Sequence, residues 1–209
     1  MRYAILQQGE SRSFPRGDLF LSGAVDPAAA DVVLHLGTKL MPDPEKAAVL
    51  VELGMECLGV HTGEHSGEEG SNVLGFARYR NGSDPPSPLV EMVRQPRTRQ
   101  TAIDAAKAVF SAAGLTVVVC SDFPGRIVDA LVRPKYNAAL RLLDEELATA
   151  ADMDLTCRLG LGYPDGPIER VVRGGLAHHY EISRALFEIY GTPAYAPARR
   201  AAVAAARRT

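Results

Sequence analysis

The sequence predicts an α/β domain over residues 1–121 followed by an all-α domain over residues 122–209. Three observations predict this. Short apolar runs alternate with helical patterns as far as Cys120. Everything after Gly125 has helical period. Between the two, Pro124-Gly125 breaks a β-branched run and opens a long amphipathic segment.

Taken in order, residues 3–6 (Tyr-Ala-Ile-Leu) read as a first strand. Residues 7–18 are polar and Gly/Ser-rich, hence a loop, and Leu19-Phe20-Leu21 reads as a second strand. Asp31-Val32-Val33-Leu34-His35-Leu36 is a short apolar run between turn residues, the mark of a buried strand. Residues 43–53 place Ala47, Leu50, Val51 and Leu53 at helical steps, so a helix ending at Gly54 is expected. Cys57-Leu58-Gly59-Val60 is expected as the next strand, and residues 61–72 as a glycine-rich acidic loop. Residues 73–79 and 89–93 read as strands flanking a Pro-rich turn at 82–88. Residues 98–113 form a helix with Ile103, Ala106, Val109 and Phe110 inward, and residues 115–120 a β-branched strand. Alternation of this kind implies βαβ units and a mainly parallel sheet.

In the second half, Val128, Leu131, Val132, Ala138, Ala139, Leu142, Leu143 and Leu147 recur at three- and four-residue steps. They mark one long helix, with Pro134 placed to kink it. Asp152 is the expected N-cap of a second helix that stops at the Gly/Pro-rich stretch 160–167.

The composition limits the function classes. A net charge of −2 gives no reason to expect nucleic acid. The arginines at 199–200 and 207–208 read as the solvated face of a terminal helix. Cys57, Cys120 and Cys157 are odd in number and sit in apolar contexts, as reduced core thiols of a cytoplasmic protein would. No signal peptide and no apolar run of membrane-spanning length is seen.

The stretch 122–167 carries the strongest resemblance. It contains Asp122-Phe123-Pro124-Gly125, a long helix with Pro134 and Asn137-Ala138, the segment Asp152-Met153-Asp154, and Gly160-Leu161-Gly162-Tyr163-Pro164-Asp165-Gly166-Pro167. In this order and spacing it resembles the helical C-terminal domain of the 3-hydroxyacyl-CoA (3-hydroxybutyryl-CoA) dehydrogenase family. The match is good over residues 115–200 and weaker over 31–114. The resemblance implies acyl-CoA metabolism, in fatty-acid or aromatic-acid β-oxidation. It also implies a helical domain of the 6-phosphogluconate-dehydrogenase C-terminal type that pairs into a homodimer. The first domain then looks like a truncated, reduced Rossmann domain. A dinucleotide-binding fold has G-x-G-x-x-G directly after its first strand, where backbone N–H groups reach a pyrophosphate. Here Gln7-Gln8-Gly9-Glu10-Ser11-Arg12 follows that strand. The family strand that lies about eighty residues into those chains corresponds to Asp31-Val32-Val33-Leu34. NAD binding is therefore doubtful and no cofactor is expected, a CoA thioester being the ligand class left.

The family's catalytic positions are altered too. Its histidine, in H-F-F-N-P, lies twelve residues before a glutamate in a Leu-Val-Glu-Val-Val-like strand. Here Glu91 matches the glutamate, and Tyr79 stands twelve residues earlier. The family serine corresponds to Gly63, and the Asn-Arg pair to Asp129-Ala130. A histidine suits proton abstraction near neutral pH, whereas an unperturbed tyrosine, with a pKa of about 10, is a poor base. The candidate site is Glu91, Tyr79 and Asp129, a vestige, with Tyr79 and Glu91 expected on neighbouring strands facing one cleft. Two carboxylates there would repel, so either Glu91 or Asp129 is expected to have a raised pKa, or an arginine such as Arg78 to sit between them.

Other constellations have plainer readings. His61 and His65, near Glu64, Glu68 and Glu69, lie among glycines, so a solvated loop is favoured over a metal site. His178-His179 points to two faces of a helix, a core-edge role. Asp144-Glu145-Glu146 is a surface patch, and Arg78, Arg80, Arg94, Arg97 and Arg99 suit ion pairing better than CoA phosphates. Three functions remain open. The favoured one is a dimeric acyl-CoA-binding or accessory module. The others are an active or split dehydrogenase, whose nucleotide site comes from a full-length dehydrogenase partner, and another enzyme using Tyr79 or Asp129 with Glu91.

Overall fold

The computed structural model describes residues 1–63 and 71–208. The chain divides into two compact units. One comprises residues 1–80 and 86–126; the other comprises residues 127–209 together with the short segment 81–85.

The first unit is a six-stranded sheet: β1 (Tyr3–Gln7), β2 (Val32–Leu36), β3 (Ala48–Glu52), β4 (Val73–Arg78), β5 (Leu89–Arg94) and β6 (Thr116–Ser121). The spatial order equals the chain order. β1 to β4 are parallel, β5 runs antiparallel to β4, and β6 is parallel to β5. β2 is buried at every residue, as a strand covered on both faces should be. Odd–even alternation divides the side chains. On one face Val32, Leu34, Leu36, Leu50, Leu74, Phe76, Val90 and Met92 pack with α3 (Gln100–Ala112). Phe14 and Phe20 fill the rest of that layer, stacked with ring centroids 4.2 Å apart. On the other face Val49, Val51, Val73 and Val93 pack with Leu40 and Leu58.

The expected α/β-then-α order is present, but three elements differ from the sequence reading. Residues 19–21 are not a strand. They begin α1 (Leu19–Ser22), because the Asp18 carboxylate accepts the amide of Phe20 as an N-cap. Residues 48–52 are strand β3, not helix. A short apolar run satisfies both periods, and a place in the sheet between β2 and β4 decides for strand. Residues 57–60 are not a strand but lead into α2 (Gly59–Thr62). The amides of Leu58 and Gly59 donate to the two oxygens of Asp122 at 2.7 and 2.8 Å, a partner more than sixty residues away. Among the described residues, the connections between the parallel strands β1 to β4 accordingly hold only one-turn helices, and α3, which joins the parallel pair β5 and β6, is the one long helix of this unit.

The second unit comprises α4 (Ile127–Asp144), α5 (Ala150–Leu161), α6 (Pro167–Gly174), α7 (Leu176–Tyr190) and α8 (Arg199–Ala206). Its apolar core is Tyr136, Ala139, Leu140, Ile168, Val171, Ala198 and Ala201. Pro134 lies inside α4 and has no N–H for the carbonyl of Ala130. The Tyr195 hydroxyl donates to that carbonyl at 3.3 Å instead. Thr149, not Asp152, is the N-cap of α5: its hydroxyl accepts the Asp152 amide at 3.1 Å. The Asp152 carboxylate in turn accepts the Thr149 hydroxyl. Asp144 is held by Arg199 and Arg200 at 3.0 and 2.6 Å, so this part of the acidic patch pairs with α8. Among the described residues no helix is long and apolar enough to cross a membrane.

Candidate functional site

Open parallel sheets bind ligands outside the carboxyl ends of their strands. Here those ends are Gln7, Leu36, Glu52 and Arg78. The chain leaving β1 crosses them. The Gln8 amide donates to the Leu36 carbonyl at 2.9 Å. The Ser11 hydroxyl and the Ser13 amide both donate to Glu52 Oε1 at 2.8 Å. The Arg78 amide donates to Ser13 Oγ at 3.1 Å. Residues 8–13 thus step over the ends of β2, β3 and β4 in turn, with Ser11 and Ser13 buried. Phe14 then drives into the aromatic core, fixing the strap from below. The polar, serine-rich composition of this loop was visible in the sequence. Its course was not, because its partners come from three later strands.

Glu91 lies in β5, 2% exposed, directly across from Ala77 of β4. Alternation puts it on the face of Val73, Gly75 and Val93. Tyr79 is half-buried, one residue beyond the end of β4 and two beyond Ala77. Asp129 belongs to the helical unit, where its Oδ1 accepts Arg133 Nε at 2.8 Å and Nη2 at 2.6 Å. Arg78 is not beside Glu91, as the expected place between the two carboxylates would require. It belongs to the opposite face from Glu91, lies 5.0 Å over the Phe14 ring, and pairs with Asp18 at 3.1 Å. Its remaining N–H groups donate to the carbonyls of Ser13 and Ser87. The reason is register: a one-residue step along a strand reverses the face.

The motif residues of the second half do structural work. Asp154, 6% exposed, accepts the amides of Ile168 at 2.8 Å and Glu169 at 3.0 Å, capping α6. A Cβ at Gly166 would run into that carboxylate, so glycine is required there by space. Pro167 starts α6, where no N–H is needed. Gly162 ends α5 in the left-handed conformation, φ 68°. The Asn81-Gly82 pair hooks onto α6. Asn81 Nδ2 donates to the Arg170 carbonyl at 3.1 Å, and Gly82, at φ 59°, leaves no room for a Cβ beside the Arg173 carbonyl. The dipeptide is an ordinary turn signal; its partner in α6 was not legible.

A buried polar chain links α4, α7 and α8. Arg133 Nη1 lies 3.4 Å from His179 Nδ1, and His179 Nε2 lies 2.9 Å from Asn137 Oδ1. Asn137 Nδ2 donates to the Ala194 carbonyl at 3.1 Å, and its Oδ1 accepts the Ala198 amide. Burial, reinforced by the Arg133 guanidinium and then by His178, pushes the His179 pKa down to about 3. His179 is thus neutral, with Nδ1 free to accept from Arg133. Its partner His178 lies outward, 3.7 Å from Glu181.

Among the described residues no three His, Cys, Asp or Glu side chains gather as a metal site. His61 lies 3.5 Å from Glu56. His65, Glu64, Glu68 and Glu69 fall outside the described residues. A cleft of about 730 Å³, lined by Cys57, Arg94, Gln95, Ser121 and Asp122 among others, lies toward the amino end of β4, away from the strap.

Residues 125–208 match the family model of the 3-hydroxyacyl-CoA dehydrogenase C-terminal domain. The helical part of the chain thus carries a 3-hydroxyacyl-CoA dehydrogenase C-terminal domain. The chain is 38% identical over 88 residues to human mitochondrial hydroxyacyl-coenzyme A dehydrogenase, covering 42% of this chain and 28% of that one. It is 35% identical over 114 residues to a Mycobacterium tuberculosis 3-hydroxybutyryl-CoA dehydrogenase, covering 54% and 40%. The chain thus spans less than half the length of these curated relatives. In fold it is similar to (S)-3-hydroxybutyryl-CoA dehydrogenase from Ralstonia eutropha, with a TM-score of 0.72, 21% identity, and 86% and 66% of the two chains covered. The 3-hydroxybutyryl-CoA dehydrogenase of Escherichia coli gives 0.71 at 21% identity, with 84% and 39% covered. The 3-hydroxyacyl-CoA dehydrogenase fold therefore extends into the sheet, beyond the family-model match.

Proposed function

We propose that this chain is a cytosolic accessory or binding module of acyl-CoA metabolism that lacks a nicotinamide site of its own. The observation behind this reading is the strap. In a dinucleotide-binding sheet, the turn after the first strand presents glycine amides and a helix N-terminus to the pyrophosphate. Here residues 8–13 spend their polar groups on the ends of β2, β3 and β4. The sequential strand order points the same way, since the binding crevice of a doubly wound sheet forms where strand order reverses. The domain is on this reading a reduced Rossmann unit, divided from the helical domain near residue 121.

Glu91, Tyr79 and Asp129 are then remnants of a catalytic site. Asp129 is engaged with Arg133, which leaves Glu91 as the one group of the expected chemistry kept in place. That retained carboxylate favours the alternative in which a full-length dehydrogenase partner completes the nucleotide site. The ligand proposed for the chain is a CoA thioester, and the state proposed is a homodimer through the helical domain. Support for the dimer is the exposed apolar surface of that domain, including Leu155 at 47% and Leu159 at 79% on one face of α5.

Calorimetric titration with NADH and with acetoacetyl-CoA, run separately, tests the reading. Heat from acetoacetyl-CoA with none from NADH is the expected result. A micromolar Kd for NADH overturns it, and heat from NADH in a mixture with a complete dehydrogenase that exceeds the heat of that dehydrogenase alone selects the split-enzyme alternative.

A further inference from the structure

The sheet has two sets of carboxyl ends. Those of β1 to β4 are crossed by residues 8–13. β5 runs antiparallel to β4, and β6 follows β5, so their last residues, Arg94 and Ser121, stand at the opposite rim. The cleft of about 730 Å³ opens there, a volume within the range of small-molecule sites, about 300–1,000 Å³. β5, α3 and β6 form a parallel crossover with a full-length helix, and ligands of such units bind outside the carboxyl ends of the strands.

The floor of this cleft is built and internally satisfied. Gln95, 1% exposed, accepts the Thr62 hydroxyl at 3.0 Å and donates from Nε2 to Asp122 Oδ2 at 3.2 Å. Asp122 also accepts the amides of Leu58 and Gly59, so its two oxygens carry three N–H donors. The groups left over are at the rim. Arg94 is exposed, and among the described residues no carboxylate pairs with it. Ser121 is its register partner, so the guanidinium and the hydroxyl stem from adjacent strand ends. Val60 and Pro96 add apolar wall. Gly59 keeps the space over the floor open, since a Cβ there would come into ordinary contact with Asp122 Oδ2 at 3.5 Å.

We propose that this cleft binds a small organic monocarboxylate, with Arg94 as its charge partner. The guanidinium offers a planar fork of N–H donors that matches a carboxylate, and the Ser121 hydroxyl offers one more. The apolar part of the ligand lies against Val60 and Pro96. A single negative charge suits the cleft, because the Asp122 carboxylate already stands in it and repels a second charge on the ligand. A neutral ligand would leave the guanidinium unused. The site lies wholly in the sheet unit and uses neither Glu91 nor a CoA thioester, so it is independent of the function proposed above.

The test is titration of the full chain with benzoate, followed by backbone amide chemical shifts. Shifts should concentrate at Gly59, Gln95 and Ser121 and saturate with a Kd of about 1 mM, ordinary for a ligand of this size. Benzyl alcohol, the same body without the charge, should bind about tenfold more weakly or worse, and so should benzoate to Arg94→Gln. Arg94 is exposed, so this variant keeps the fold. Gly59→Leu sets a side chain over the floor and should abolish the shifts. Inorganic phosphate should bind more weakly than benzoate, and tighter binding of phosphate overturns the carboxylate class. Benzoate shifts that are scattered over the surface, that survive unchanged in Arg94→Gln, or that are absent at about 20 mM overturn the site.

Discussion

The two units solve burial differently. The sheet unit is held by an apolar and aromatic interior, in which Phe14, Phe20, Phe76 and Phe110 meet. The helical unit surrounds a modest apolar core with buried polar groups, Arg133, Asn137, Asp154, His179 and Ser183. An apolar interior accepts swaps of similar volume at small cost. A buried polar network does not, because each lost partner leaves a desolvated group unpaired. The family-model match covers residues 125–208, and within it Asp154, Gly166 and Pro167 hold α6.

Acid should separate the two units most strongly. The His179 pKa is about 3 in the folded chain and near 6.5 when unfolded. Between these values the unfolded state binds the extra proton, so stability rises with pH from about 3 to 6.5 and is level above. The loss on acidification amounts to roughly 3 to 5 kcal/mol for this one group. Urea unfolding between pH 7 and pH 4 should show the helical unit failing first, followed by an α7-specific probe such as amide hydrogen exchange of the α7 peptides. An acid response confined to the sheet unit would break the contrast.

Removing the α6 cap is next in size. Asp154→Ala leaves the buried amide of Ile168 and the half-buried amide of Glu169 without their acceptor and should cost about 3 kcal/mol in chemical denaturation. Asp154→Asn retains one acceptor oxygen and should lose less. Equal losses would mean the carboxylate contributes by volume only.

A smaller effect is expected at the proline of α4. Tyr195→Phe removes the hydroxyl that serves the Ala130 carbonyl and should cost about 1 kcal/mol. Pro134→Ala restores an N–H for that carbonyl. The cost of Tyr195→Phe should therefore shrink in the Pro134→Ala background, a coupling that a double-mutant cycle measures directly. Additive changes would show that Tyr195 acts elsewhere.

The smallest effect, and the sharpest for function, is a null. Tyr79→His puts an imidazole twelve residues before Glu91, where the resemblance sets the family base. On the proposed reading, NADH-dependent reduction of acetoacetyl-CoA should be undetectable, because residues 8–13 cross the strand ends that a nucleotide would need. Turnover in this variant would mean that the sheet unit retains a nucleotide site after all.

The sequence by itself determined the order of the two architectures, five of the six strands and the long helices. Each of those depends on a period that neighbouring residues supply, as in the buried run Val32–Leu36 and the three- and four-residue steps of α4. It also carried the resemblance to the 3-hydroxyacyl-CoA dehydrogenase C-terminal domain, through Asp122, Asp154 and the glycines of 160–166 in their order and spacing. Only the tertiary structure decided that residues 48–52 extend rather than coil, since a five-residue apolar run fits either period until β2 and β4 flank it. It alone gave Asp122 its work on the amides of Leu58 and Gly59, and Arg78 its place on the face away from Glu91. A carboxylate or a guanidinium has a local identity but takes its role from the donors and acceptors that folding brings within 3 Å, and those are set by register and packing, not by sequence distance.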